Sequence, residues 1–265
     1  MVPFLDASAR GSVLITARKR FDRKDRAIDI SGLRFSWGIS SAPVLDINGL
    51  RVDKGQRVFV EGPSGSGKST LLALIAGVLT PQQGAVTVLG NRLDTLSSAQ
   101  RDRFRSNHMG VIFQMFNLIP YLSVVENVTL PCRFSRLRRE KALHRGGSLE
   151  AETRRLLAHL DMDHPGLLSR PVTELSVGQQ QRVAAARALI GSPEIVIADE
   201  PTSSLDADHR HSFIELLFEE CRKVQATLIF VSHDSAMASL FDRFVRLSEI
   251  NRAEWKTSKH AGEIA

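Results

Sequence analysis

The stretch that most restricts what this chain can fold into is Gly62-Pro63-Ser64-Gly65-Ser66-Gly67-Lys68-Ser69-Thr70. An apolar run, Arg57-Val58-Phe59-Val60-Glu61, precedes it, and Leu71-Leu72-Ala73-Leu74-Ile75-Ala76 follows. A G-x-x-x-x-G-K-S spacing between a short buried strand and a helix is the setting of a phosphate-binding loop. The glycines let backbone N–H groups close around phosphate oxygens, and the helix turns its positive end to the same anion. Lys68 then reaches the β- and γ-phosphates, and the Ser69 hydroxyl reaches Mg²⁺. Gly62 through Thr70 are thus candidate nucleotide-binding residues.

Strand signals recur on both sides of this loop. Residues from Ala27 alternate (Ile28, Ile30, Leu33, Phe35), and a second strand is expected from Val44 to Val52. Thr80 to Gly84 reads as a turn, Ala85 to Leu89 as a strand, and Ser98 to Arg105 as a polar helix. Met109 to Phe113 reads as a buried strand that ends on Gln114. Further strands are expected at Glu194–Asp199 and Thr227–Val231, with a helix between them near Asp208 to Arg222. Strands alternating with helices around a glycine loop argue for an α/β fold with a mainly parallel sheet.

From Met115 to about Pro171 the strand signals vanish, and helical patterning takes over at Val124–Leu130 and Leu149–Leu160. Between those helices lie Arg133, Arg136, Arg138, Arg139, Lys141, His144 and Arg145. This reads as an inserted helical lobe that carries a solvated basic connector. The expected division is a basic N-terminal extension over 1–26, one nucleotide-binding domain over 27–252 with a helical subdomain at about 115–190, and a tail over 253–265.

Length and composition set outer limits. A chain of 265 residues with 43% hydrophobic and 24% charged content can bury a full core. Its net charge of +6 admits anionic partners but does not choose among them. The extension concentrates Arg18, Lys19, Arg20, Arg23, Lys24 and Arg26, as a loosely docked segment or one drawn to anionic lipid or nucleic acid would. Cys132 and Cys221 lack C-x-x-C spacing, which argues against a disulfide framework or a zinc site. No run approaches the ~18 consecutive apolar residues of a membrane span, and no secretory leader pattern opens the chain.

Further candidates stand at strand ends. Asp199 and Glu200 close an apolar strand where α/β sheets open their ligand crevice. Asp199 suits a Mg²⁺ shell, and Glu200 can polarise an attacking water. His233 follows another apolar strand and is a candidate γ-phosphate contact; Gln114 is a neutral candidate for Mg²⁺ and the water. Leu175-Ser176-Val177-Gly178-Gln179 starts a strong helix with the S-x-x-Q spacing of a capping box. That capped start, with Gly178 beside it, is also an anion site.

Taken together these residues resemble the ATP-binding subunit of an ATP-binding cassette (ABC) transporter. The resemblance places Walker A at Gly62–Thr70, the Q-loop at Gln114, the signature at Leu175–Gln179 and Walker B at Ile195–Glu200. It places the D-loop at Ser203–Asp206 and the switch histidine at His233. It implies a RecA-like P-loop NTPase core with an N-terminal antiparallel β subdomain and an inserted α-helical subdomain. It also implies ATP and Mg²⁺ as ligands, with Ser69, Gln114 and Asp199 on the metal. Glu200 becomes the general base, with Lys68, Gln114 and His233 beside it, and Trp37 the aromatic that stacks on adenine, with Phe35 as its rival.

The family forms head-to-tail dimers, which assigns Ser176, Gly178, Gln179 and Asp206 to nucleotide contacts at the shared interface. It also implies a transmembrane permease engaged near Gln114, peripheral attachment to the cytoplasmic membrane face, and no direct nucleic-acid contact. The segments Met109–Pro120, Glu126–Val128 and Ala198–Thr202 look most like the branch of lipoprotein-releasing, macrolide-export and cell-division ATPases. Two positions depart from the family pattern: Val177 stands where the signature has glycine, and Ser204 where the D-loop has alanine. Val177 would break phosphate contact if its position required positive φ. The competing class is a soluble ABC ATPase acting in translation, on DNA or in iron–sulfur assembly. A regulatory cassette without turnover is disfavoured by intact Lys68, Glu200 and His233.

Overall fold

A computed structural model of the protein describes residues 25–38, 42–164, 166–203 and 207–253. The basic run at 18–24, the tail from 254 onwards, Ser204 and Asp206 lie outside the described residues. Five strands build a wholly parallel sheet: β3 (Arg57–Glu61), β6 (Met109–Ile112), β7 (Ile195–Asp199), β8 (Thr227–Ser232) and β9 (Arg243–Arg246), in the order β6-β7-β8-β3-β9. Four others build an antiparallel sheet: β1 (Arg26–Phe35), β2 (Leu45–Asp53), β4 (Gln83–Val88) and β5 (Asn91–Arg92), in the order β2-β1-β4-β5.

The inner parallel strands β3, β7 and β8 have apolar centres because both of their faces are covered, whereas the edge strand β9 keeps two arginines. Successive side chains point to opposite faces. Val58, Val60, Ile195, Ile197, Ile229 and Val231 therefore enter one core, together with the antiparallel sheet and α1 (Lys68–Ile75). Phe59, Val196, Ala198, Leu228 and Phe230 enter a second core. That core is closed by α3 (Val124–Thr129), α4 (Pro131–Phe134), α5 (Arg136–Gly146), α6 (Leu149–His159), α7 (Val177–Leu189) and α8 (Ala207–Lys223). The remaining helices are α2 (Ser98–His108) and α9 (Leu247–Ile250). This is the expected P-loop architecture: a parallel core, an antiparallel β subdomain and an added helical layer. Serine caps start α2, α3, α6 and α7, each hydroxyl accepting from the backbone N–H three residues on.

Two expectations are corrected. Gln83 and Gly84 belong to β4 rather than to a turn, because the β1–β4 ladder resumes at Arg34–Gln83 after a break in register beyond Ser31–Ala85. The basic run after Arg133 is helical rather than a connector, and although Arg136, Arg139, His144 and Arg145 are exposed as expected, one arginine is not. The run folds as α5, and Arg138 is only 2% exposed. Its guanidinium donates to the carbonyls of Met109 (3.1 Å), Arg187 (3.3 Å), Ala188 (2.7 Å) and Ile190 (2.8 and 2.5 Å). Burial lowers its pKa to about 10, so the charge survives at neutral pH. The approach is close enough that a Cβ at Gly191, whose φ is +71°, would stand 2.5 Å from the Arg138 carbonyl. Arg138 thus seals the end of α7 with carbonyls that a helix otherwise leaves unpaired.

Candidate functional site

Strand register explains why residues so distant in sequence meet. Glu61 of β3 pairs with Ser232 of β8, and Val231 of β8 pairs with Asp199 of β7. The phosphate loop after β3, the carboxylates closing β7 and His233 after β8 therefore leave the sheet along one edge. This is where α/β sheets bind ligands.

The loop itself is set by Gly67, which caps α1 at φ 98°; a Cβ there would come within 2.9 Å of Leu45 Cδ2. Only glycine holds that left-handed turn this close to a packed leucine. No side chain caps the N-terminus of α1, so its first N–H groups remain open to an anion. Ser66 Oγ is buried and has no hydrogen-bond partner. Lys68 is 6% exposed, and its Nζ donates to Gly62 O (2.7 Å) and Pro63 O (3.1 Å) and lies 3.3 Å from Glu200 Oε1.

Across the edge, Asp199 Oδ2 accepts from Ser69 Oγ at 2.9 Å. Burial raises the Asp199 pKa, and the neighbouring Glu200 charge adds to the rise, while the Ser69 hydrogen bond and Lys68 oppose it. Glu200 adopts φ 45°, a left-handed conformation uncommon for a residue with a side chain, and its N–H donates to Val231 O at 2.9 Å. His233 Nδ1 donates to Glu200 Oε2 at 3.0 Å, which leaves Nε2 for a second partner.

One open cavity of about 780 Å³ collects these groups. Pro63, Ser64, Gly65, Gly67, Lys68, Ser69 and Thr70 line it, with Gln114, Asp199, Glu200, His233 and Trp37. Gly62 and Ser66 complete the loop without lining the cavity. Trp37 is 66% exposed and meets the buried Phe35 ring edge-on, with centroids 5.3 Å apart. Of the two aromatics weighed for the base, only Trp37 lines the cavity.

Ser176, Gly178 and Gln179 do not line it. Ser176 caps α7, with Ser176 Oγ accepting from Gln179 N (3.3 Å) and Gln179 Oε1 accepting from Ser176 N (3.0 Å). Val177 is the first helical residue and is absent from the positive-φ positions, so valine does not strain this turn. Asp206 lies outside the described residues.

The donor set fits Mg²⁺. The Ser69 hydroxyl and Asp199 carboxylate are already in contact, and Gln114 faces the same cavity. No cluster of three acidic, histidine or cysteine side chains forms a closed cage among the described residues. Mg²⁺ takes one or two carboxylates and fills its octahedron with phosphate oxygens and water.

Several residues that hold the site were not legible as site residues. Val44 lines the cavity. Gln181, fully buried, donates from Nε2 to Pro201 O at 2.7 Å and ties α7 to the turn after Glu200. Arg187 donates to Phe116 O (2.5 Å) and Asn117 O (2.7 Å), pinning two consecutive left-handed residues that follow Gln114. Arg210 of α8 pairs with Asp234 beside His233. Gln181 and Arg187 occur among the buried positions of α7, and a polar residue inside an apolar helical stripe is the one available sign.

Comparison with known proteins gives a consistent result. The model of the family described as "ABC transporter" matches residues 45–203. A lipoprotein-releasing system ATP-binding protein, LolD 2, of Rhodopirellula baltica is 35% identical, covering 84% of this chain and 87% of that protein. LolD of Psychrobacter arcticus is 39% identical, covering 79% and 89%. Among solved structures, the dimeric post-hydrolysis state of the ATP-binding cassette MJ0796 bound to ADP and phosphate superposes with a TM-score of 0.69. That pair shares 31% identity, covering 83% of this chain and 93% of the other.

Proposed function

The chain belongs to the ABC transporter family as an ATP-hydrolysing cassette of LolD type, and we propose that it closes head to tail on a second copy of itself to drive a separate permease. One observation carries this reading. Lys68, Ser69, Asp199, Glu200 and His233 share a cavity that the signature residues do not line. The site is half-built, and the missing half has the chemistry of the exposed start of α7.

In the closed pair, Lys68 and the loop N–H groups hold the phosphates. Phosphate oxygens entering the cavity compete with Glu200 for the Lys68 ammonium, now 3.3 Å away. Ser69, Asp199 and Gln114 hold Mg²⁺, which when bound offsets charge on the transferred phosphoryl group. Glu200, freed from Lys68, accepts the proton of the attacking water, and His233 fixes the orientation of that carboxylate. Trp37 stacks on adenine. Ser176, Gly178 and Gln179 offer the α7 N-terminus to the nucleotide held by the other copy, with Asp206 at the same interface.

No helix among the described residues is long and apolar enough to cross a membrane, so membrane work passes through a partner. Phe113 (42% exposed) and Met115 (80%), on either side of Gln114 in the chain, and Tyr121 (83%) shortly after it are exposed large hydrophobic residues of the kind a permease helix could cover. The subunit then sits at the cytoplasmic membrane face, serving export or a mechanically coupled envelope complex. The role named for its relatives, lipoprotein release, is the favoured case.

The test is Glu200→Gln. Turnover should fall by at least ~10²-fold, the size of a lost general base, while ATP binding persists and sedimentation shows an ATP-dependent dimer. Turnover at the wild-type rate overturns the general-base role; a chain that stays monomeric with ATP overturns the head-to-tail closure. A cysteine placed at Tyr121 should crosslink to a membrane permease, whereas a soluble ABC ATPase would give no such product.

A further inference from the structure

Trp37 is the least supported part of the cavity wall. Its ring is largely exposed and its one ring contact among the described residues is the edge of Phe35. An indole that must receive a base needs a fixed root, since ordering a free side chain at the moment of binding costs affinity.

That root is held in an unusual way. β1 ends at Phe35, its ladder with β4 ends at the Arg34–Gln83 pair, and Pro81 stands just before Gln82 where another rung would have to come. Proline has no N–H to give to a ladder. The neighbouring side chain fills the gap. Gln82 Oε1 accepts from Ser36 N at 2.9 Å, and Gln82 Nε2 donates to Ser36 O at 2.7 Å. A primary carboxamide presents the same donor and acceptor as a peptide group, so it serves as one further rung of the sheet. The Gln82 backbone is itself fixed, because its N–H donates to Arg34 O at 3.1 Å. On the other side Val44 N donates to Phe35 O at 2.8 Å, and Val44 lines the nucleotide cavity. The residue immediately before Trp37 is therefore clamped on both of its backbone polar groups by a side chain that does not itself line that cavity.

We propose that Gln82 is a positioning residue for base recognition: its two-point pair with Ser36 holds the Trp37 indole where adenine stacks. The inference rests on the reading of Trp37 as the base-stacking residue. It separates recognition of the base, through Gln82 and Trp37, from recognition of the triphosphate, through Gly62–Thr70.

The experiment measures dissociation constants of MgATP and of magnesium tripolyphosphate, which has the phosphates without the base. The proteins are wild type, Gln82→Ala, Gln82→Glu, Trp37→Ala and the Trp37→Ala/Gln82→Ala pair. Two solvent-exposed hydrogen bonds set the scale, so Gln82→Ala should weaken MgATP about three- to tenfold and leave tripolyphosphate unchanged. Gln82→Glu keeps the acceptor for Ser36 N–H but loses the donor to Ser36 O, and should weaken MgATP at least as much. In the Trp37→Ala background, Gln82→Ala should add no further loss. If Trp37→Ala weakens MgATP while Gln82→Ala does not, the positioning role fails and Trp37 keeps its own. If Trp37→Ala leaves MgATP binding intact, both roles fail together. Equal loss of tripolyphosphate in Gln82→Ala would mean that Gln82 only supports the fold.

Discussion

Two helix starts in this molecule have the same elementary chemistry and opposite surroundings. α1 begins after Gly67, with no side-chain cap, inside a cavity where Lys68, Ser69, Asp199 and Glu200 already touch one another. α7 begins at Ser176 with a full capping box, and Val177 beside it is 51% exposed. Both present helix N–H groups and a positive dipole end to an anion. The first has the Lys68 ammonium and the paired Ser69 and Asp199 oxygens next to it. A helix start with its own partners can bind phosphate alone; the second adds free energy only to a phosphate that something else has brought.

That difference fixes what breaking each start should do. Lys68→Ala removes charge-assisted hydrogen bonds to phosphate and should lower ATP affinity by about 10- to 100-fold, read by equilibrium titration of the isolated chain. Unchanged affinity would contradict the assignment of the loop. Ser176→Arg should leave that affinity alone and instead abolish turnover, because in the proposed head-to-tail pair the bulky cation would block the surface offered to the other copy. The sharpest form is a mixture. Lys68→Ala and Ser176→Arg chains, each inactive, should together regain ATPase activity, since a mixed dimer pairs one intact loop with one intact signature. A mixture as inactive as its components would mean that the two starts do not serve one site.

The opposite end of α7 gives the next largest effect. There the last carbonyls are closed by Arg138, whereas the helix start at Ser176 and Val177 is exposed. Arg138→Met keeps most of the volume but orphans buried carbonyls, and should cost about 3 kcal/mol of unfolding free energy, measured by denaturant titration. ATP affinity, set at α1, should barely change. A loss of ATP affinity as large as that of Lys68→Ala would mean the two ends of the molecule are coupled more tightly than separate surroundings imply.

These contrasts also show what could be read from the sequence. Four of the parallel strands were legible because burial on both faces leaves an apolar run, as in Leu228–Val231, whereas β9, an Arg-Phe-Val-Arg edge strand, has no such run and was not read as a strand. The loop, Asp199, Glu200 and His233 were legible because motif spacing and strand ends coincide, and register alone then brings them together. Arg138 was not, since a dense basic run reads as a solvated face until the C-terminus of α7 is known to lie against it. Gln82 was hidden for a similar reason. Its partner is 46 residues away, and its role depends on where the β1–β4 ladder stops. Single polar residues that satisfy a distant backbone carry no local period, so tertiary contact decides them.

The smallest expected effect separates charge from shape in the region below the sheet. Glu194, at the entry to β7, accepts from Lys141 of α5 at 2.9 Å and pairs with His108 of α2 at 3.2 Å. Burial pushes its carboxyl up, but the bonds to His108 and Lys141 and the Lys141 charge outweigh that and bring it down to about 2, from an ordinary value of 4.5. A depressed carboxyl pKa contributes stability that is fully present above the unfolded value and is lost as pH falls through the folded one. The window is therefore about pH 4.5 to 2. The pair is partly open to solvent, which keeps the contribution modest. Unfolding free energies of wild type and Glu194→Gln, compared from pH 6 downwards, should differ most at pH 6 and converge in acid. A difference that stays constant would show that Glu194 holds α2 and α5 to the sheet by packing and neutral hydrogen bonds, with its charge contributing nothing measurable.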